Sequence, residues 1–274
     1  MAIDLYYEEL GEGTPILLIH PSGSTGSTWG VVVDELARIG RVITYDRRGY
    51  ARSGGEPVRS MARHTADAAA LLEQLGGHPA VAVGTSAGAA IAVDLAVRRP
   101  DLVLAVVAHE FPWRFTHHLP SSSQLAALTK MGSLALRGRH ADAVEVLLRA
   151  TYTYREGGSA WDAFPAEWRR IARANARPAL ADLRNSIVAY PSAADLATIR
   201  ASVVCSYGAR SPDNIVRLVL ALTSAIPTGT ARAIDGAAHG APFDAPESFV
   251  QVIGDSMATA DESSAVSALS GGEA

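Results

Sequence analysis

The sequence predicts an α/β protein, with a mostly parallel, doubly wound sheet and a helical cap inserted between core strands. Three observations carry the prediction. Short apolar runs rich in Val and Ile alternate with segments of helical composition from residue 16 onward. The stretch Gly84-Thr85-Ser86-Ala87-Gly88 joins one such run to an Ala-rich helix through a very tight turn. Residues 113–199 drop the alternation and carry helical patterns alone. With 274 residues, 48% of them hydrophobic, the chain can bury one large core plus an insertion.

Taken in order, Ile3-Asp4-Leu5-Tyr6-Tyr7 alternates like a half-exposed strand, and Gly11 to Pro15 reads as a turn. Ile16 to Ile19 is a continuous apolar run, as expected of a strand covered on both faces. The small-residue loop His20-Pro21-Ser22-Gly23-Ser24 follows it, and Trp29 to Ile39 reads as a helix. Val42 to Tyr45 is a second buried strand, ending in Asp46-Arg47-Arg48-Gly49-Tyr50-Ala51-Arg52-Ser53. Thr65 to Leu75 is helical and closes at Gly76-Gly77. The strand into Gly84, the helix from Ala89 to Val97 and the strand Leu102 to Ala108 come next. In the insertion, Ser121 to Leu136, His140 to Tyr152, Ala166 to Ala176 and Pro178 to Val188 read as four helices. The core resumes with the strand Val203 to Tyr207, the helix Ile215 to Ile226, the strand Ala231 to Ile234 and a closing helix Pro246 to Ile253. The expected division is a core of 1–112 and 200–255, a cap of 113–199, and a tail of 256–274 whose Ser, Ala, Gly and acidic composition predicts disorder.

The turn at Ser86 is the chemical centre of the chain. Glycines two before and two after a serine let strand and helix approach where a Cβ would clash, and the turn exposes the hydroxyl above the strand. The Ala87 N–H then stands at a helix N-terminus, where unpaired donors and the helix dipole favour a negative oxygen. Nucleophile and half an anion site come from one element. In parallel sheets function collects at the C-terminal strand ends. Ser86, the loops after His20 and Asp46, and Glu110 all fall at that edge.

Composition excludes other classes. A net charge of −4 with no basic stripe argues against a nucleic-acid partner. No apolar run is long enough for a membrane span, and Met1 to Glu9 lacks the pattern of a signal peptide. A single cysteine, Cys205, rules out an internal disulfide and suits a reducing cytoplasm. Lys130 is the only lysine among 24 basic side chains, a bias that points to a GC-rich bacterial source. His117-His118 has no partner ligands nearby, so no metal is expected, and no glycine loop implies a nucleotide cofactor. His64, His78 and His140 read as solvated surface residues.

Four motifs in order resemble the α/β-hydrolase superfamily, in its serine-nucleophile branch: the His20–Ser24 loop, Asp46–Ser53, Gly84–Gly88, and Gly236-Ala237-Ala238-His239-Gly240-Ala241-Pro242. The resemblance implies Ser86 as nucleophile and His239 as general base. The superfamily usually places its acid three residues after the glycine ending the next-to-last strand. Here that glycine is Gly208 and the position holds Ser211. Glu110, just past the strand Leu102 to Ala108, is the favoured acid, because some branches take it from that strand end; Asp213 is the alternative, with a helix cap as its structural reading. The oxyanion donors expected are the N–H groups of Ala87 and Ser22, since Pro21 has none. Asp46 is expected to order its arginine-rich loop.

Eight of the 17 aromatic residues fall between Phe111 and Trp168. They either fix the cap to the core or line a pocket, and Phe111, Trp113, Trp161 and Trp168 are the candidates to contact substrate. The expected chemistry is hydrolysis of an ester, lactone or thioester of a small-molecule substrate bearing a bulky apolar or aromatic group. The alternatives are an acyltransferase of the same fold and a non-catalytic binding protein.

Overall fold

The computed structural model describes residues 3–111, 121–186 and 191–270. Seven strands form one sheet: β1 (Tyr7–Leu10), β2 (Pro15–Ile19), β3 (Arg41–Tyr45), β4 (Ala80–Thr85), β5 (Val103–His109), β6 (Ser202–Gly208) and β7 (Gly229–Ile234). Their spatial order is β1-β3-β2-β4-β5-β6-β7. Only β1 is antiparallel, pairing Tyr7 with Tyr45 and Leu10 with Val42. The other five pairings are parallel. The doubly wound sheet is thus as expected, with one shift. The first strand begins at Tyr7 rather than Ile3, because the residues that find β3 as partner lie closer to the turn at Gly11 and Gly13 (φ 82° and 97°).

Helices cover both faces. On one side α2 (Met61–Leu75), α3 (Ala87–Arg98) and α9 (Asp213–Ala225) bury Leu71, Leu72, Ile91, Leu95, Val219 and Leu222 against the sheet. On the other, α1 (Gly30–Leu36) and α11 (Pro246–Ser270) contribute Val32, Leu36, Phe249, Val252 and Ile253. Each fully buried side chain of this size contributes about 1.5–3 kcal/mol. The helix expected over Trp29 to Ile39 starts as a 3₁₀ turn, Gly26–Trp29, and becomes α-helical at Gly30.

The tail expectation is corrected for its first residues. α11 continues past Ile253, and Ser256, Met257 and Ala260 are buried at 2%, 7% and 3% exposure. Phe249, Val252, Ile253, Ser256, Met257 and Ala260 recur at helical spacing, so a composition read as disordered supplies a further turn of core stripe. No described helix is long and apolar enough to cross a membrane.

Between β5 and β6 stand α4 (Ser122–Leu136), α5 (His140–Thr151), α6 (Ala166–Ala174), α7 (Ala176–Ser186) and the short α8 (Ala193–Leu196). They hold a separate apolar cluster, built from Val144, Leu148, Trp161, Phe164, Ala172 and Ala179. It packs on Phe243, in the short helix α10 (Ala241–Asp244) of the core.

Candidate active site

The C-terminal ends of β2 to β7 share one edge, and each delivers a polar residue there. β4 ends in Thr85, and Ser86 adopts φ 52°, ψ −118°, a conformation that costs a non-glycine residue about 1–3 kcal/mol. The flanking glycines explain how it persists. A Cβ on Gly84 would lie 2.2 Å from the Gly88 carbonyl carbon, and one on Gly88 would lie 2.0 Å from the Ile19 oxygen. Strand, turn and helix are therefore in backbone contact. Ser86 is partly exposed, and among the described residues its Oγ makes no hydrogen bond. Ala87 opens α3, placing its N–H among the unpaired donors of the first turn.

β5 and the loop after β7 supply a buried pair. His239 Nδ1 lies 2.7 Å from Glu110 Oε2. A carboxylate can only accept, so Nδ1 carries the proton and the neutral ring keeps its lone pair on Nε2. Glu110 has φ 47° and is 2% exposed. Its other oxygen accepts from the Gly208 N–H at 3.1 Å and from the Ser211 hydroxyl. Burial works to raise its pKa, but the hydrogen bond from His239, the electrostatic pull of the His109 and His239 rings and the Ser211 hydroxyl prevail and hold it at about 2. The residue standing at the usual acid position is thus a donor to the glutamate.

A second histidine braces the same loop. His109 is fully buried, with Nε2–H donating to the Ala238 carbonyl at 3.1 Å and Nδ1 3.1 Å from Ser206 Oγ. Burial lowers its pKa to about 4, so the ring is neutral near pH 7. Asp244 adds a bond from the Ala238 N–H at 3.0 Å. His20 acts alike beneath the first loop. Its Nδ1–H donates to the Pro21 carbonyl at 2.8 Å, and Nε2 accepts the Arg47 N–H at 3.0 Å. Asp46 accepts from the Gly26 N–H, the Arg52 N–H and Arg52 Nε, tying its loop together.

A cavity of about 60 Å³ opens at this edge, lined by Ser22, Thr85 and His239 with Leu148, Tyr152, Trp161, Phe164, Trp168 and Phe243. Its wall is an edge-to-face aromatic array. Tyr152 meets His239 at 5.1 Å and Phe164 at 4.8 Å, and Phe243 meets Phe164 and Trp168 at 5.0 and 5.2 Å between ring centroids. Such contacts contribute about 0.5–1.5 kcal/mol each beyond the area they bury.

Several expectations change. Asp213 is 70% exposed and ion-pairs with Arg155 at 3.0 Å on the surface; it begins α9, where an acid suits the helix dipole. Phe111 is fully buried among core residues, because the positive φ at Glu110 turns the chain back onto the sheet, and it does not line the cavity. Trp161 and Trp168 do line it, while Trp113 lies outside the described residues. So do His117 and His118. His64 is 2% exposed rather than solvated, and sits 3.3 Å from Asp182. Ser22 lines the cavity, but its hydroxyl donates to Asp182 Oδ2 at 2.7 Å. That commits its one proton and leaves the backbone N–H as the group it can offer an anion.

Asp182, Ser211, Tyr152 and Phe243 carry no motif. Asp182 had one legible sign: on α7 it continues the buried Ala176–Ala179 face at a three-residue interval. A carboxylate on an apolar face needs a partner.

A family model for the alpha/beta hydrolase family matches residues 16–252. The chain belongs to that family. It is 36% identical over 113 residues to an uncharacterized hydrolase, YraK, of Bacillus subtilis, a match covering 39% of this chain and 41% of that protein. The aligned stretch thus spans about two fifths of that relative. The fold superposes on a thermophilic esterase from Thermogutta terrifontis with TM-score 0.75 and 21% identity, covering 93% of each chain. It superposes on a bromoperoxidase from Bacillus anthracis with TM-score 0.75 and 22% identity, covering 92% of this chain and 95% of the other.

Proposed function

We propose that the protein is a serine hydrolase that cleaves an ester-type bond of a small apolar substrate through an acyl-enzyme. The single observation that carries this reading is the buried Glu110–His239 pair at the sheet edge on which Ser86 is presented. In the proposed reaction His239 Nε2 takes the Ser86 proton as Oγ attacks the carbonyl. Glu110 stabilises the imidazolium, and the tetrahedral oxyanion rests on the N–H groups of Ala87 and Ser22. His239 returns the proton to the leaving alcohol or thiol, and water, activated by the same base, releases the acid and frees Ser86. The Ser86–His239 hydrogen bond forms as substrate enters, since such bonds are often long before binding.

The helices between β5 and β6 act as a cap, with Trp161 and Trp168 against the substrate. The aromatic-walled cavity at the sheet edge is the place for the bulky apolar or aromatic group of the substrate. No Asp, Glu, Lys or Arg side chain lines the cavity among the described residues, which favours a neutral acyl group. Location in a reducing cytoplasm is part of the proposal and rests on the single, buried Cys205.

The test is intact-mass labelling with a short-chain, serine-reactive phosphonate, on wild type and Ser86→Ala. The expected result is one adduct on wild type and none on the variant. Labelling no faster in wild type than in Ser86→Ala refutes the nucleophile.

A further inference from the structure

The cluster around Asp182 ties the inserted helices to the core at the place where the reaction's oxyanion is expected. Asp182 Oδ2 accepts from Ser22 Oγ at 2.7 Å, Arg47 Nη2 at 2.7 Å and Tyr50 OH at 2.6 Å. Its Oδ1 lies 3.3 Å from His64 Nε2. These partners come from three separate core segments: the loop after β2, the loop after β3, and α2. Arg47 and Tyr50 are fully buried, and Asp182 and His64 are each 2% exposed. Burial opposes charge on Asp182, but the adjacent Arg47 guanidinium and His64 hold its carboxyl well below the usual range.

Stability alone does not call for this arrangement. A buried ion pair is commonly matched or bettered by apolar residues of the same volume. What an apolar pair cannot do is take a hydrogen bond from Ser22. Gly23 of the loop His20 to Ser24 faces the apolar side chains of Leu148 and Val144 on α5, a contact that carries no direction for the Ser22 backbone. Pro21 offers no N–H, Gly23 sits at φ 75°, and the His20 and Ser24 side chains bond within the loop or to neighbouring core backbone and hydroxyls. Among the described residues, the Ser22–Asp182 bond is the polar link between this loop and the inserted helices. A parallel link lies one loop away, where Asn175 Oδ1 accepts the Ala51 N–H at 3.0 Å and Ala51 holds φ 36°.

We propose that Asp182 is a positioning residue: α7 carries the carboxylate that orients Ser22, so docking of the inserted helices on the core sets one side of the oxyanion site. This rests on the reading of the Ser22 N–H as an oxyanion donor. The cap then does more than cover the cavity, because the site is complete only when α7 is seated. An oxyanion donor is typically worth about 10²–10³ in rate, and a loosened donor loses part of that.

The experiment compares Ser22→Ala, Asp182→Asn and the double variant. Ser22→Ala removes the tether while keeping the N–H and the Asp182–Arg47 pair, so it reports even if Asp182→Asn does not fold. Two readouts are taken: kcat and KM for a short-chain aryl ester per phosphonate-titrated site, and amide hydrogen exchange at residues 22–24. The expected result is a kcat lowered about 10-fold in each single variant with KM within about two-fold. Exchange at 22–24 should be faster in both, and the double variant no slower in turnover than Asp182→Asn, as for two changes that break one contact. Unchanged exchange at 22–24, or kcat per site within two-fold of wild type, overturns the proposal. Additive losses do the same. Failure of the hydrolase reading shows separately, as wild type that labels no faster than Ser86→Ala; the oxyanion role then falls, and the exchange data alone decide whether the tether exists.

Discussion

Replacing Glu110 by glutamine separates the two candidate acids and puts a magnitude on the pair. The carboxylate accepts three bonds: from His239 Nδ1 at 2.7 Å, from the Gly208 N–H at 3.1 Å and from the Ser211 hydroxyl. A glutamine has one accepting oxygen and one donating NH₂ in that space. If the oxygen faces His239, the NH₂ is pressed against the Gly208 N–H, donor against donor. If the NH₂ faces His239, Nδ1 must accept and the proton moves to Nε2, the nitrogen that should take the proton of Ser86. Either orientation also withdraws the charge that stabilises the imidazolium. Loss of the equivalent carboxylate in a serine triad costs roughly 10⁴ in kcat, or about 5 kcal/mol of barrier. We expect Glu110→Gln to lower kcat for a short-chain ester by about 10³–10⁴, and to slow phosphonate labelling in proportion. Asp213→Asn should stay within about two-fold, because an exposed pair with Arg155 contributes at most about 1 kcal/mol and lies away from His239. Active-site-titrated kinetics on both variants decide the matter. Glu110→Gln within ten-fold of wild type, with Asp213→Asn severely impaired, would refute the assignment.

Acid should unfold the protein from the neutral side. Burial holds His109 at about 4, and burial with the Arg47 charge holds His20 at about 3, against an ordinary 6.5; the unfolded chain therefore binds protons that the fold refuses, and stability falls as pH drops below about 6.5. Glu110, at about 2 against 4.5, adds about 3 kcal/mol that is fully present above pH 4.5 and lost as pH falls through 2. Urea midpoints should decline steadily from pH 7 to 4, and a flat profile between pH 7 and 5 would contradict these burial effects. Gly88→Ala should fail to fold, since its Cβ meets the Ile19 carbonyl oxygen at 2.0 Å with backbone on both sides. Gly132→Ala on α4 has nothing within 4 Å and should stabilise by about 0.5–1 kcal/mol. Circular dichroism and thermal melts of the two glycine variants check the contrast; a well-folded Gly88→Ala would overturn the close-packing account of the turn.

Much of the fold and part of the site were legible in the chain, for reasons that operate over a few residues. Apolar runs such as Ile16–Ile19 must be covered on both faces, and strand–helix alternation leaves a parallel sheet as the way to do it. The turn at Ser86 follows from sterics between neighbours: Gly84 and Gly88 are there because no Cβ fits, and Ser86 has its φ because they are. The tail misled because helical core spacing in Ser256, Met257 and Ala260 is hidden within a disorder-like composition.

What only the tertiary structure decided is how buried polar groups find one another across long stretches of chain. Glu110 and His239 are 129 residues apart and meet because β5 and the loop after β7 end at one edge. Ser211 is the donor that satisfies the glutamate, a role that the identity of either residue alone does not reveal. Asp182 belongs to the core loops although its helix belongs to the insertion. Local sterics are written in adjacent residues. The partner of a buried charge is set by which strand ends the sheet order brings together, and that appears only once the chain is folded.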